Sequence, residues 1–152
     1  DDAIDVDGPH ELLIENNVIR NSSDDGIEIR NFDYNGPMYN VVIRNNSIDQ
    51  SDEDGIQIID YPANSKRTFT IDRNLITRSA DSAIGIMDSG ETVEDFRAAA
   101  IPEKIVVTNN TIVQNHYGLT GGGNLFAINN IFAFTSWFRD QFNINKADKA
   151  NY

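Results

Sequence analysis

Apolar residues fall on alternate positions in short bursts, and the bursts themselves recur. The phrase Ile14-Glu15-Asn16-Asn17-Val18-Ile19 returns as Ile43-Arg44-Asn45-Asn46-Ser47-Ile48, Ile71-Asp72-Arg73-Asn74-Leu75-Ile76 and Val107-Thr108-Asn109-Asn110-Thr111-Ile112. A fifth copy, Ala127-Ile128-Asn129-Asn130-Ile131-Phe132, lacks a clear second half. Between copies stands another alternating burst, headed by Asp2-Ala3-Ile4, Asp25-Gly26-Ile27, Asp54-Gly55-Ile56 and Ser82-Ala83-Ile84. Period-two alternation is the mark of a strand with one face buried, so each repeat is predicted to hold two strands of about three to five residues. Polar turns rich in Asn, Asp, Ser and Gly join them. Helical spacing is confined to residues 91–101, where Val93, Phe96, Ala100 and Ile101 precede the stop at Pro102. That stretch is predicted to be a short surface helix in the longest insertion.

The second asparagines of the phrase stand at 17, 46, 74, 110 and 130, giving spacings of 29, 28, 36 and 20 residues. A period of this size marks a stacked repeat. From Asn17, Asn46 and Asn74 the next burst begins eight residues on, at Asp25, Asp54 and Ser82; in the fourth repeat Tyr117 arrives one residue early. Register is therefore fixed within a coil, and length varies between coils. With coils about 4.8 Å apart, equivalent residues become ladders. Ile14, Ile43, Ile71 and Val107 form one apolar column, and Ile4, Ile27, Ile56, Ile84 and Leu119 another, which together predict the core. The Asn17, Asn46, Asn74, Asn110 and Asn130 column is an asparagine ladder at a turn, its amides bonding one another and the turn backbone. Glu15, Arg44 and Asp72 alternate in sign along an outward column, a pattern of surface pairing.

Two short strands per repeat and a turn asparagine at one fixed place resemble the right-handed parallel β-helix of the pectate-lyase-like class, over residues 1 to 138. The fold expected is all-β, a solenoid of about five coils in a single domain. The repeat is already under way at Asp1, so a fragment of a longer chain is expected. After Asn130 the pattern changes: Phe132, Phe134, Trp137 and Phe138 crowd together before a polar run at 139–152. Such crowding suits a cap over the last coil, or an ordinary final strand.

Charge sharpens the picture. Twelve basic against 24 acidic side chains give a net charge of −12, which argues against nucleic acid and favours cations as partners. The absence of cysteine excludes disulfides and thiolate metal sites. No apolar run reaches the roughly 20 residues of a membrane helix, so membrane insertion is not expected.

The acids also fall in columns: Asp1, Asp24, Glu53 and Asp81; Asp2, Asp25, Asp54 and Ser82; Asp5, Glu28 and Gln57. Like charges stacked at strand spacing repel, so something should compensate them. Turn chemistry is one account, because Asp before Gly favours turns and its carboxylate accepts backbone N–H bonds. A hard cation is the other, since Ca²⁺ takes six to eight oxygen ligands. Asp2, Asp24, Asp25 and Glu28, with Asp54 further along, are the candidate ligands.

Asp24-Asp25-Gly26-Ile27-Glu28 resembles the Asp-Asp-Gly-x-Asp segment of calcium-dependent pectate lyases, with Glu28 in place of the last Asp and Asp1 or Asp2 as the acid from the preceding coil. That resemblance implies Ca²⁺ as cofactor, an acidic polysaccharide as partner, and proton abstraction beside a sugar carboxylate by Lys or Arg. Lys66 and Arg67 are the candidate bases. Arg30, Arg44, Arg73 and Tyr61 are candidate substrate contacts, and His10 and His116 offer acid–base groups. The hydrolases of the same class use paired carboxylates, and here the likeness stops at the Asp-Asp pair. Pectin, alginate and glycosaminoglycan remain open as substrates. The competing reading is a non-catalytic glycan-binding or structural module of an exported bacterial protein, found outside the cell or on its surface. For it, Tyr34, Tyr39, Tyr61 and Phe69 are the candidate sugar-stacking rings.

Overall fold

In the computed structural model, residues 1–8, 11–31, 40–59, 67–87, 104–121, 125–134 and 142–144 are described. The predicted helix at 91–101 lies outside them. The first coil holds β1 (Ile4–Asp7), β2 (Leu12–Glu15) and β3 (Val18–Ser22), the second β4 (Ile27–Arg30), β5 (Asn40–Arg44) and β6 (Ser47–Ser51). The third holds β7 (Ile56–Ile59), β8 (Thr68–Asp72) and β9 (Leu75–Thr77), the fourth β10 (Ser82–Met87), β11 (Lys104–Thr108) and β12 (Thr111–Val113). The fifth has β13 (Tyr117–Gly121), β14 (Leu125–Ile128) and β15 (Ile131–Ala133), and β16 (Phe142–Ile144) follows.

Each coil therefore has three strands where the sequence pattern predicts two. The asparagine phrase is itself a strand, a corner and a second strand, and its bend occupies too few residues to interrupt the alternation. The three sides build three parallel sheets. Sheet A takes β1, β4, β7, β10, β13 and β16; sheet B takes β2, β5, β8, β11 and β14; sheet C takes β3, β6, β9, β12 and β15. The tail predicted at 139–152 thus contributes one strand to sheet A, pairing Phe142 with Leu119.

Both apolar columns line the interior in register, Ile14 to Ile43 to Ile71 to Val107 in sheet B and Ile4 to Ile27 to Ile56 to Ile84 to Leu119 in sheet A. Sheet C adds Ile19, Ile48, Ile76 and Ile112 to the same buried core. Phe69 belongs there too: it is fully buried, stacked between Val41 and Ile105, and so is not a surface ring. Phe132 packs partly onto the core, whereas Phe134 is 77% exposed.

Both corners of sheet C turn through a left-handed residue. Asn16, Asn45, Arg73, Asn109 and Asn129 have φ between 54° and 60°, and Asn21, Gln50, Arg78, Gln114 and Phe134 between 56° and 64°. Each costs an L-residue about 1 kcal/mol, least for Asn, whose side chain can bond locally. At the first corner the asparagine ladder offsets that cost. Asn17, Asn46, Asn74 and Asn110 each donate both the backbone N–H and the side-chain amide to Oδ1 of the next asparagine, at 2.8–3.0 Å. The amides of Asn46, Asn74, Asn110 and Asn130 also donate to the carbonyls of Ile14, Ile43, Ile71 and Val107. Outside this corner the Arg44 guanidinium pairs with Glu15 at 2.8 Å, as the sign alternation predicts.

The corner into sheet A is tighter. A Cβ on Gly26 would lie 2.6 Å from both the Gly55 carbonyl oxygen and Ile48 Cγ2, so that position admits no side chain without a shift of backbone. This close stacking delivers the acids to sheet A in fixed register.

Candidate functional site

Asp2, Asp25 and Asp54 lie at the entry to sheet A, and their carboxylates do what the amides do at the other corner. Asp2 Oδ1 accepts the Asp25 N–H at 3.0 Å, Asp25 Oδ1 accepts the Asp54 N–H at 2.7 Å, and Asp54 Oδ1 accepts the Ser82 N–H at 2.6 Å. Asp25 is 1% exposed and Asp54 fully buried. A carboxylate at that depth needs strong donors, and a backbone N–H to an ionised oxygen is one of the stronger neutral-to-charge bonds. Asp54 also leans over β10 where Gly85 leaves space; a Cβ at 85 would overlap its Oδ2. Asp54 thus serves the corner and belongs to neither carboxylate group found among the described residues, and turn chemistry accounts for one oxygen of Asp25.

Two groups of acids, part exposed and part buried, gather around Asp2. Carboxylate oxygens of Asp2, Asp5 and Glu28 lie within 4.8 Å of one another, as do those of Asp2, Asp24 and Asp25. Asp5 and Glu28 are register partners, followed along the sheet by Gln57 and Gly85. Asp5 is a ligand candidate that the sequence reading placed in a column but did not select. Glu28 is 7% exposed, and its guanidinium partner is Arg30, which also reaches Asp7 at 3.6 Å. Burial pushes the Glu28 carboxyl up to about 7, with Arg30 opposing and Asp2, Asp5 and Asp24 reinforcing the rise. Burial, together with the charge of Asp24 and a hydrogen bond to it, also raises Glu53. Asp81 is raised by burial against the pull of His116.

These shifts predict a pH dependence of stability. A carboxyl whose pKa is higher in the folded chain than in the unfolded one, near 4.3, binds its proton more tightly when folded. Its stabilising contribution is full below that ordinary value and is lost as pH rises to about 7. Melting temperature should therefore fall between pH 4.5 and 7.5. Glu28→Gln should remove about 2 kcal/mol of that fall, allowing for solvent screening. Parallel melting curves for the two proteins across this range would show that Glu28 ionises in the folded chain as it does in the unfolded one.

The basic candidates separate. Arg30 alone of the named arginines stands at the acid cluster. Arg44 is on the outer face of sheet B with Glu15, and Arg73 occupies a left-handed corner position, bonded to Asp72 at 3.0 Å and to Asn45. Arg67 continues the inward alternation of Phe69 and Ile71 and is 2% exposed, which gives it a structural place inside the coil. Lys66, Tyr61, Tyr34, Tyr39, His10, Trp137 and Phe138 lie outside the described residues. His116 is described, and it stacks on Tyr117 with ring centroids 4.2 Å apart and planes at 20°. That pair went unread in the sequence because Tyr117 arrives out of step and His116 stands alone in a turn.

A three-sided parallel coil with a polar ladder at two corners is the architecture of a right-handed β-helix. The chain belongs to that family: the family described as the right handed beta helix region matches residues 1–132. No curated protein and no solved structure matches it. Among the described residues no helix is long and apolar enough to cross a membrane.

Proposed function

We propose that this β-helix binds an acidic polysaccharide through a calcium ion held by Asp2, Asp5 and Glu28. The observation that carries the reading is the pair of carboxylate groups that share Asp2, one with Asp5 and Glu28 and one with Asp24 and Asp25, with Arg30 as the basic neighbour of Glu28 among the described residues. Two ligands of one Ca²⁺, each about 2.3 to 2.6 Å from it, lie at most about 5 Å apart, and the oxygens of both groups meet that limit. All are hard oxygen donors, the chemistry Ca²⁺ prefers. A bound ion would supply the positive charge that a sugar carboxylate needs beside so many acids. The chain's own residues do the rest: Asp2 and Glu28 hold the cluster against the sheet, while Arg30, paired with Glu28 and Asp7, adds positive charge at its edge. Such a ligand places the protein outside the cell or on its surface.

A polyuronate lyase is the second reading, favoured by the Asp24-Asp25-Gly26-Ile27-Glu28 segment at this patch. It requires a base, and Arg30 is already committed to ion pairs with Glu28 and Asp7. Lys66 remains the candidate for that role.

Saturating Ca²⁺ should raise the melting temperature, since the ion binds the folded coil alone; at a hundredfold excess over Kd the gain is about 2.7 kcal/mol. Asp5→Asn, at an exposed position, should abolish that gain without unfolding the corner. Polygalacturonate, alginate and chondroitin, tested by retention and by absorbance of unsaturated product, then separate the readings. Ca²⁺-dependent retention without product is the expected result. Product formation would establish the lyase. Identical melting curves in EDTA and Ca²⁺ at matched ionic strength, with no retention, would overturn both.

A further inference from the structure

Arg30 meets the acids with two different nitrogens. Nη2 contacts Oε1 of Glu28, whose side chain is 9% exposed, and Nη1 lies 3.6 Å from Oδ1 of Asp7, whose side chain is 54% exposed. The guanidinium therefore spans from a covered carboxylate to an open one. Strand register sets this position: Asp5 stands beside Glu28 and Asp7 beside Arg30, while on the opposite flank their partners are Gln57 and Ile59, neither of which carries charge. A carboxylate as covered as Glu28, with oxygens of Asp2 and Asp5 within 4.8 Å, needs a cation in contact with it. Among the described residues that cation is Arg30. A calcium ion on Asp2, Asp5 and Glu28 needs the same carboxylate, and two cations on one carboxylate repel each other.

Resting on the reading above, we propose that Arg30 is a tethered competitor for the cation site and the link between its two ligands. Ca²⁺ displaces the guanidinium from Glu28, and Asp7 keeps it at the exposed side of the group. There it is released to meet the sugar carboxylate, which it can bind through parallel N–H donors. Cation and glycan then assist each other beyond what direct contact between them supplies. Ca²⁺ frees the donor that the glycan uses, and by reciprocity a glycan that holds Arg30 away from Glu28 tightens the binding of Ca²⁺. An arginine that only neutralises nearby acid opposes Ca²⁺ as well, but it couples nothing.

The test is calorimetry of the wild type, Arg30→Gln and Arg44→Gln, titrated with Ca²⁺ alone and again in saturating polygalacturonate. Arg30→Gln should bind Ca²⁺ about tenfold more tightly, the size of one charge-assisted contact, and should melt below the wild type in EDTA because Glu28 has lost its partner. Arg44→Gln makes the same change of charge beside Glu15 on sheet B, and its Ca²⁺ affinity should stay within about twofold of the wild type. Polygalacturonate should raise Ca²⁺ affinity about fivefold less in Arg30→Gln than in the wild type. If Arg30→Gln does not fold, Asp7→Asn decides the matter, since an arginine without its outer anchor should lose the same coupling. Equal Ca²⁺ affinities for Arg30→Gln and the wild type, or an equal effect of polygalacturonate on both, would overturn the role of Arg30 and leave the cation site standing. Absence of Ca²⁺ binding from all three proteins would overturn the cation site itself.

Discussion

Asn46→Ala should lower the melting temperature by about 10 °C, which corresponds to roughly 3 kcal/mol in a chain of this size. Asn46 is 2% exposed and uses every valence of its amide. Its Oδ1 accepts both the backbone N–H and the amide of Asn17, and its Nδ2 donates to the Ile14 carbonyl and to Asn74 Oδ1. Truncation strands the Asn17 N–H and the Ile14 carbonyl where water does not readily reach them, and each stranded group costs about 1 to 3 kcal/mol. Asn16→Ala is the matched control. Asn16 sits next to the ladder at φ 60°, so alanine there bears only the left-handed penalty of about 1 kcal/mol. Equal losses for the two variants would mean that the ladder amides contribute nothing beyond the backbone turn.

Arg67→Ala should be at least as costly, about 3 to 5 kcal/mol, although arginine is ordinarily a tolerant surface residue. Arg67 is among the largest fully buried side chains of the described residues. A guanidinium survives at that depth only when paired and hydrogen-bonded, and removing it strands its partners and opens a cavity beside Phe69. A catalytic base behaves in the opposite way: its removal leaves the melting temperature near that of the wild type and abolishes turnover. Thermal melts of Arg67→Ala, followed by Ca²⁺-dependent glycan retention at a temperature where the variant is folded, distinguish the two roles. A wild-type melting temperature would return Arg67 to the list of candidate bases.

Arg67 shows where a sequence reading of this protein stops. In the chain it follows Lys66 in a polar loop and looks exposed; only its place one alternation step before Phe69, on an inward column, buries it. Asp25 and Asp54 make the same point from the other side. Their column was legible, and so was the tension of stacked like charges, yet whether a column is relieved by backbone N–H groups or by a cation depends on distances between coils. Oδ1 of each proves to cap the next coil. Asp2, Asp5 and Glu28 form a carboxylate group apart from that corner, and Asp24 joins Asp2 and Asp25 in a second.

What the sequence determined by itself is everything that repeats. Stacking at strand spacing turns a repeat in one dimension into a column in three, so the asparagine ladder, the two interior isoleucine columns and the acid rows follow once the phrases are aligned. Tertiary structure decided what does not repeat. The third strand was hidden because its corner takes one left-handed residue and one ladder asparagine; at the other corner of sheet C, Gln50, Arg78, Gln114 and Phe134 adopt positive φ with no glycine to announce it. Which arginine meets the acids was decided by the side of the coil each occupies, and the stacking of His116 on Tyr117 by their meeting at the end of a column. Those outcomes depend on contacts between residues whose separation is set by loops of unequal length, and periodicity carries no record of such contacts.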